Sequence, residues 1–357
     1  MPQLVYTDHR ADPASWAREL GISREAVELY LAGDVIDLHV DSFIWTRVFG
    51  YELTRRHGPG LFGARFYSQV DFPRALEANL TGAIWVITTN PLRSAAGRAR
   101  AFVKNVTELR RILDSTAEFA VVRTAAEYRD ARAAGKHGAF LGVQGGNALD
   151  RDPGALDLIP DELILRITLV HLTSSTLGST SSPAKLTDRG LTDRGRDYVR
   201  RLDEKKIFVD LAHISKRGFW DAVEVHDRSH PLIVTHTGVS GVYEHWRNLD
   251  DAQLRAIADS GGTIGVMYQA SFLGAGAAGR RAEAVVRHLE HIIEVVGEDH
   301  ASLGSDWDGA IAPPRDLKTV TDLPRLVELM LARGWKPERV SKVLGGNALA
   351  TIERLRG

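Results

Sequence analysis

Two side chains that commonly bind metal ions lie two positions apart in the apolar stretch 35–41, which reads Val-Ile-Asp-Leu-His-Val-Asp. Side chains of a β-strand alternate between two faces, so His39 and Asp41 fall on one face and the aliphatic residues on the other. An imidazole and a carboxylate at one strand end are within reach of a single divalent ion. A His-x-Asp triplet by itself is also compatible with a solvated strand end, so the interpretation depends on the other strands.

Further histidines and carboxylates follow other short apolar runs of the chain. Three of these runs reach His171, His213 and His236, and the last run reaches Asp306, with Asp308 close behind. Four of the thirteen histidines therefore stand at four predicted strand ends. A single histidine there could be a core residue hydrogen-bonded to a backbone carbonyl, but this role poorly explains four of them together. Together these side chains suit zinc or another divalent ion that accepts nitrogen and oxygen ligands.

A metal site of this composition would support hydrolysis. A bound cation lowers the pKa of water from ~15.7 towards ~7, which provides a nucleophile at neutral pH without a reactive serine or cysteine. Asp306 could then take the proton of the attacking water. His171 remains as a hydrogen-bond donor to a substrate oxygen.

This chemistry requires a fold that brings separate strand ends together. Eight short runs rich in Val, Ile and Leu alternate with helical patterns: residues 35–41, 82–88, 138–143, 163–170, 207–211, 231–235, 262–268 and 301–305. Such a pattern, without hairpin signals, predicts an α/β protein with a closed (β/α)8 TIM-like barrel, whose strands all end around one pocket. An open doubly wound sheet is the alternative, but no Gly-x-Gly-x-x-Gly turn follows the first strand and there is no P-loop.

The remaining segments fit one domain that spans residues 1–357. Helix-start signals at Asp12 and Ser23 predict two short helices before the first strand. Residues 42–69 contain four glycines and many aromatic and basic residues, which predicts a long irregular loop above the barrel that covers the substrate. Residues 321–356 predict two amphipathic C-terminal helices.

Composition argues against several classes of function. Lys and Arg number 45 against 46 Asp and Glu, without a basic run, so a nucleic-acid or anionic-membrane partner has no electrostatic support. The absence of cysteine excludes disulfides, thiolate metal sites and cysteine nucleophiles. Residues 1–11 lack a signal-peptide pattern and no stretch is apolar enough to span a bilayer, so we expect a cytoplasmic protein with a small-molecule substrate. The sequence leaves open whether the chain forms a homodimer.

Eight segments of the chain, taken in their order and spacing, resemble the membrane (renal) dipeptidase family of the amidohydrolase superfamily, and the resemblance extends from about Val35 to Leu355. No single segment is specific for the family, but the complete set is. The matching segments are residues 35–41, 142–146, 169–171, 190–192, 209–215, 235–236, 247–248 and 304–309. The resemblance implies a barrel of the metallo-dependent hydrolase type, with zinc as cofactor and a small amide or dipeptide as substrate.

The resemblance also implies roles for individual residues. The histidine and aspartate that hold the first zinc of the family match His39 and Asp41, and the histidines that hold the second match His213 and His236. The proton acceptor of the last strand matches Asp306. It is also a candidate metal ligand, and Asp308 is the weaker alternative for the acceptor. The family's substrate-side residues, which bind the scissile carbonyl and the dipeptide carboxylate, match His171 and Arg247.

The sequence departs from the family at the bridge between the two zinc ions. The family has a glutamate there, in Gly-Val-Glu-Gly-Gly-His, whereas this chain has Gln144, followed by Asn147 in place of the histidine. An amide brings no charge and one good donor oxygen, so Gln144 is at best a weak ligand. Two divalent ions at ~4 Å repel strongly, so a second ion is expected to lose most of its affinity.

These observations leave three functions to compare. The first is metal-dependent hydrolysis of a dipeptide-like amide, with one tightly held ion or a poorly held pair. The second is a binding or accessory protein that keeps the shape of the family but has an impaired or absent metal site. The third is hydrolysis of a related carbonyl substrate such as a lactam or cyclic imide.

Overall fold

The computed structural model describes residues 3–60, 62–183 and 187–357. Within these ranges one parallel sheet contains nine strands: β1 (Ile36–Val40), β2 (Gly82–Thr88), β3 (Phe119–Val121), β4 (His137–Gln144), β5 (Ile164–Thr168), β6 (Phe208–Asp210), β7 (Ile233–Thr237), β8 (Thr263–Val266) and β9 (Ala301–Leu303).

Eight of these strands close into a barrel. Strand β1 pairs with both β2 and β9, β2 pairs with β4, and β4 to β9 pair in chain order. The predicted (β/α)8 barrel is thus confirmed, and the open sheet is not formed. Strand β3 lies outside the ring, beside the first residues of β4. The sequence did not predict it, since three residues are too few for a recognisable run.

Helices connect and cover the strands. In the described part of the chain they are α1 (Pro13–Leu20), α2 (Arg24–Ala32), α3 (Phe43–Phe49), α4 (Phe72–Glu77), α5 (Ala95–Leu113), α6 (Ala125–Ala133), α7 (Asp193–Glu204), α8 (Lys216–Val225), α9 (Asp251–Asp259), α10 (Ala270–Leu273), α11 (Glu283–Val296), α12 (Pro324–Ala332), α13 (Pro337–Ser341) and α14 (Asn347–Leu355). The side chains of Asp12 and Ser23 cap α1 and α2. Among the described helices, none combines the length and apolarity needed to cross a bilayer.

The structure differs from the sequence prediction in the segment 42–69, whose residue Leu61 lies outside the described residues. The segment is not irregular throughout, because α3 occupies its first part. Gly50 ends α3 in a left-handed conformation; its N–H donates to the carbonyl of Thr46, and the N–H of Tyr51 donates to that of Trp45. The helix was missed because its aromatic and β-branched sequence has low helix propensity and Ser42 makes no side-chain cap.

The C-terminal segment 321–356 also differs from the two helices predicted for it. It contains α12, α13 and α14, and a π-helical turn, Lys342–Gly346, joins the last two. A Cβ at Gly345 would lie 2.6 Å from the carbonyl oxygen of Asp34, so the turn packs directly against the backbone that leads into β1.

An apolar cluster fills the barrel below the strand ends. Ile36 and Leu38 of β1 pack there with one side chain from each of five other strands and with α14; the strand residues are Ile84, Phe140, Leu165, Phe208 and Ile233. Asp37 takes no part in the pocket described below, because its Oδ1 accepts the backbone N–H groups of His39 and Ser305. The pairing of β1 shifts register between Asp37 and Val40, which interrupts the simple alternation predicted from the sequence.

Candidate active site

The carboxyl ends of the strands surround a pocket of about 310 Å³. Seven of the residues singled out in the sequence line it: Asp41, Gln144, His171, His213, Arg247, Asp306 and Asp308. His39 and His236 are fully buried and lie beside this lining. The barrel therefore brings together side chains that are separated by up to 267 positions in the chain, since β1 and β9 are neighbours.

Three side chains form a cluster that could hold a metal ion. Ligand atoms of His39, His236 and Asp306 all lie within 4.8 Å of one another. Nε2 of His39 is 3.5 Å from Oδ1 of Asp306, and the centroids of the two imidazole rings are 3.9 Å apart. Nitrogen and carboxylate donors at this spacing match the ligand preference of zinc.

The backbone turns sharply where two of these strands end. His213 has φ of +66° and Asp306 has φ of +63°, both in the left-handed region that non-glycine residues rarely adopt. Such conformations cost about 1–2 kcal/mol each, and they are found where the surrounding structure fixes a side chain at a functional site. Sequence patterns gave no sign of either turn, because neither position is a glycine.

Hydrogen bonds to His236 leave one of its ring nitrogens available for a metal ion. The Thr235 hydroxyl donates to Oδ2 of Asp210 over 2.7 Å, so it can only accept from Nδ1 of His236, 2.9 Å away. The proton of the His236 ring is thus on Nδ1, and Nε2 carries the lone pair. Nε2 of His213 lies 2.8 Å from this atom. Burial, together with neighbouring cationic groups, keeps the pKa of both histidines well below the usual value, so both rings are neutral.

A residue that the sequence analysis did not single out lies directly beneath this cluster. Arg166 of β5 is fully buried, and its Nη2 donates to Nδ1 of His39 over 2.8 Å. Its Nη1 is 3.1 Å from Oδ2 of Asp210 and donates to the Thr168 hydroxyl and the Val143 carbonyl. A charged residue inside an apolar strand run was the signal that could have identified it.

Burial dominates the electrostatics of the carboxylates in the pocket. It raises the pKa of Asp41 to about 7, against the effect of a 2.5 Å hydrogen bond from the Thr88 hydroxyl. Burial, and then the negative charge of Asp41, raises the pKa of Asp306 well above its ordinary value, while Arg247 opposes the shift. A carboxylate with a raised pKa is a stronger base, as proton abstraction from water requires.

Asp308, the weaker alternative for the proton acceptor, is engaged in holding the loop that follows β1. Its carboxylate accepts hydrogen bonds from the Ser42 hydroxyl and from the N–H groups of Gln69 and Val70. With its oxygens bound in this way, Asp308 positions the segment 42–69 over the pocket.

Two further residues of the sequence analysis lie around the cluster. Gln144 donates from its Nε2 to Nε2 of His171 over 2.7 Å, and its Oε1 is buried without a hydrogen-bond partner among the described residues. Asn147, which replaces the family's histidine, does not line the pocket, and its carbonyl accepts from Arg98. Because Nε2 of His171 accepts, the proton of its neutral ring is on Nδ1.

Arg247 contributes a buried guanidinium to the lining of the pocket. Its Nη2 donates to the carbonyl of His236 over 2.8 Å, whereas its Nε is buried without a partner within the described chain. Burial lowers the pKa of Arg247 to about 10, so the group stays charged at neutral pH. The apolar part of the wall includes Trp45, Trp246, Met267, Phe272 and Ile311.

A closed parallel barrel with histidines and carboxylates at the carboxyl ends of its strands is the architecture of the metallo-dependent hydrolases. The chain belongs to the membrane dipeptidase family, peptidase family M19, whose model matches residues 23–356.

Individual relatives support this assignment. The chain is 38% identical over 174 residues, 47% of its length, to an uncharacterized protein in the pqqA 5′ region of Klebsiella pneumoniae. It is similar to the crystal structure of an M19 metallopeptidase, dipeptidase AC, with 30% identity, a TM-score of 0.77 and coverage of 90% of this chain and 98% of the other. A metallopeptidase from Rhodobacter sphaeroides, solved with a phosphinate mimic of the dipeptide L-Ala-D-Ala, has 28% identity, a TM-score of 0.77 and coverage of 90% and 99%. The matches with the first curated relatives span 51–62% of their lengths.

Proposed function

We propose that the protein is a metal-dependent hydrolase of small amides with a dipeptide-like structure. The observation that carries the proposal is the pair of facing Nε2 atoms of His236 and His213, 2.8 Å apart, with a ligand atom of His236 within 4.8 Å of a carboxylate oxygen of Asp306. These donors fit one divalent ion, and their chemistry favours zinc. When bound, the ion would supply Lewis acidity, which makes water nucleophilic near pH 7 and polarises the scissile carbonyl.

The residues of the chain supply the remaining steps. Asp306 has the raised pKa of a base and accepts the proton of the attacking water. The same proton can then be passed to the leaving amine. His171 donates from Nδ1 to the carbonyl oxygen, where negative charge develops.

The substrate is held by groups outside the cluster. Arg247 can donate in parallel from two nitrogens to the free carboxylate of a dipeptide, and its unpartnered Nε is available for this contact. The apolar wall around Trp246 and Phe272 accommodates an uncharged side chain of the substrate. The M19 relative solved with a dipeptide mimic supports a substrate of this class.

Metal analysis combined with a dipeptide assay tests the proposal. The protein is stripped with a chelator, titrated with Zn2+, and assayed on a panel of dipeptides that includes L-Ala-D-Ala and its C-terminal amide. We expect about one equivalent of zinc to restore hydrolysis, and the free acids to be preferred over the amides. Absence of hydrolysis across the panel by the zinc-loaded protein would contradict the proposal.

A second candidate is a binding protein that retains the pocket without catalysis. The neutral Gln144 at the centre of the site, hydrogen-bonded to His171, favours this alternative. Calorimetric binding of a dipeptide to the zinc-loaded protein, without turnover, would establish it.

A further inference from the structure

The buried guanidinium of Arg166 controls which nitrogen of His39 carries the proton. A guanidinium has only donors, so the 2.8 Å hydrogen bond from Nη2 of Arg166 requires Nδ1 of His39 to be an acceptor. The neutral ring then carries its proton on Nε2, the nitrogen that faces Asp306. A protonated nitrogen has no lone pair for a metal ion, so His39 in this tautomer is not a ligand.

His236, whose ring centroid lies 3.9 Å from that of His39 with the ring planes at 53°, is held in the opposite tautomer. Its Nδ1 donates to the Thr235 hydroxyl, which itself donates to Asp210. This is the usual arrangement of a metal-binding histidine, whose second nitrogen donates to an acceptor. Asp210 therefore determines the tautomers of both rings: that of His236 through Thr235, and that of His39 through the ion pair with Arg166.

Charge supports the same interpretation. Arg166 places a positive charge next to His39, and this charge, unlike that of a bound metal ion, is a permanent part of the chain. A divalent ion bound beside this guanidinium would be repelled, and Gln144 adds no negative charge to offset the repulsion. The carboxylate paired with Arg166 is Asp210, which already accepts hydrogen bonds from Thr168 and Thr235.

We propose that Arg166 is a positioning residue that removes His39 from the metal ligands and takes the place of a second ion with its own charge. The N–H of His39 Nε2 then points towards Oδ1 of Asp306, 3.5 Å away, without a hydrogen-bond partner among the described residues, and a single ion is held on the side of His213 and His236. This inference deepens the proposed function and rests on it for the role of the single ion, whereas the tautomer of His39 can be measured independently.

Nitrogen NMR of the unmodified protein tests the tautomer directly. Protein labelled with 15N-histidine is recorded at pH 7.5 without metal and after one equivalent of Zn2+, and His39 is assigned by the signals lost in His39→Asn. We expect a protonated Nε2 and an unprotonated Nδ1 for His39 in both states, and the reverse tautomer for His236. A proton on Nδ1 of His39, or loss of its Nε2 proton on addition of zinc, would overturn the proposal.

Metal affinity provides a second test with a matched pair of variants. In competition with a chromophoric chelator, His236→Asn should weaken zinc binding by about 100-fold or more, and His39→Asn by less than about threefold. Equal losses in the two variants would contradict the proposal.

The two proposals fail in different ways. If two ions bind and His39 becomes a ligand, the role of Arg166 is wrong while the hydrolase remains. If the tautomers are as expected but no dipeptide is hydrolysed, the proposed reaction is wrong while the assignment of Arg166 stands.

Discussion

Gln144 and His171 are joined through their Nε2 atoms by a 2.7 Å hydrogen bond. The amide donates, so the imidazole accepts, and burial together with Arg247 and Arg166 lowers the pKa of His171 to about 3. A neutral His171 held by a neutral amide leaves this side of the pocket without a negative charge. The consequences for metal binding can be measured.

Restoring a carboxylate at position 144 should increase the affinity for a second ion. Gln144→Glu is nearly isosteric, so it changes charge with little change in packing. We expect the unmodified protein to retain fewer than two divalent ions after dialysis against a mild chelator, with a modest gain in Gln144→Glu. The double variant with Arg166→Met should gain more than the single variants together. Two ions retained by the unmodified protein would show that an amide suffices.

Replacing Arg247 by lysine should weaken binding of substrates with a free carboxylate. Lysine keeps the charge but loses the two parallel donors of the guanidinium. We expect KM for a dipeptide acid to rise by about tenfold or more, with a smaller change for the C-terminal amide. Steady-state kinetics on the matched pair of substrates gives the answer, and equal effects on both would remove the assignment.

Removing the proton acceptor should reduce turnover without altering the fold. Asp306→Asn is expected to lower kcat by about 10²- to 10⁴-fold, the usual contribution of a general base. The base acts only when it is deprotonated, and burial and the charge of Asp41 raise its pKa. As pH is lowered, the activity of the unmodified protein should therefore begin to fall at a pH higher than the usual carboxyl pKa. Zinc content measured alongside separates loss of the base from loss of the ion. A variant that keeps a tenth of kcat with full zinc would exclude this role.

The buried carboxyl of Asp41 should make the metal-free protein less stable as pH rises. Its pKa of about 7 in the folded protein exceeds the ~3.9 of an unfolded chain, so the folded state binds more protons between these values. Asp41→Asn removes this dependence. Relative to the unmodified protein, its free energy of unfolding should increase from pH 4 to pH 7 by up to about 4 kcal/mol. Urea unfolding in a chelating buffer measures the difference, and a constant difference across this range would refute the shift.

Close contact between strands below the site should make Gly304 intolerant of a side chain. A Cβ there would lie 1.8 Å from the carbonyl oxygen of Thr235, next to His236. Gly304→Ala should therefore reduce thermal stability strongly, by several kcal/mol, as expected for overpacking. Gly58→Ala is the control, because no atom of the described residues, its two chain neighbours aside, lies within 4 Å of where its Cβ would be. A similar melting temperature for both variants would contradict this close approach of the two strands.

The sequence predicted the barrel because each strand is a short apolar run between helical patterns, and the pocket because parallel strands end on one face. It could not predict the register shift in β1 or the left-handed turns at His213 and Asp306, which depend on contacts with neighbouring strands. The tautomers of His39 and His236 were equally inaccessible, since Arg166 reaches His39, and Asp210 fixes the direction of the Thr235 hydroxyl beside His236, only once neighbouring strands come together. The fold therefore followed from local patterns, whereas the number of ions depends on long-range contacts.

The pairing of β1 with β9 also affects how the protein folds. Ser305 reaches the carboxylate of Asp37 across 268 positions of the chain, so the ring closes only after a very large loop is ordered. Contacts at such separation slow folding and expose unpaired strand edges in the meantime. During synthesis, β1 must wait for β9 to leave the ribosome, and until then its edge is open to other chains. We expect refolding yields to fall with protein concentration for this reason.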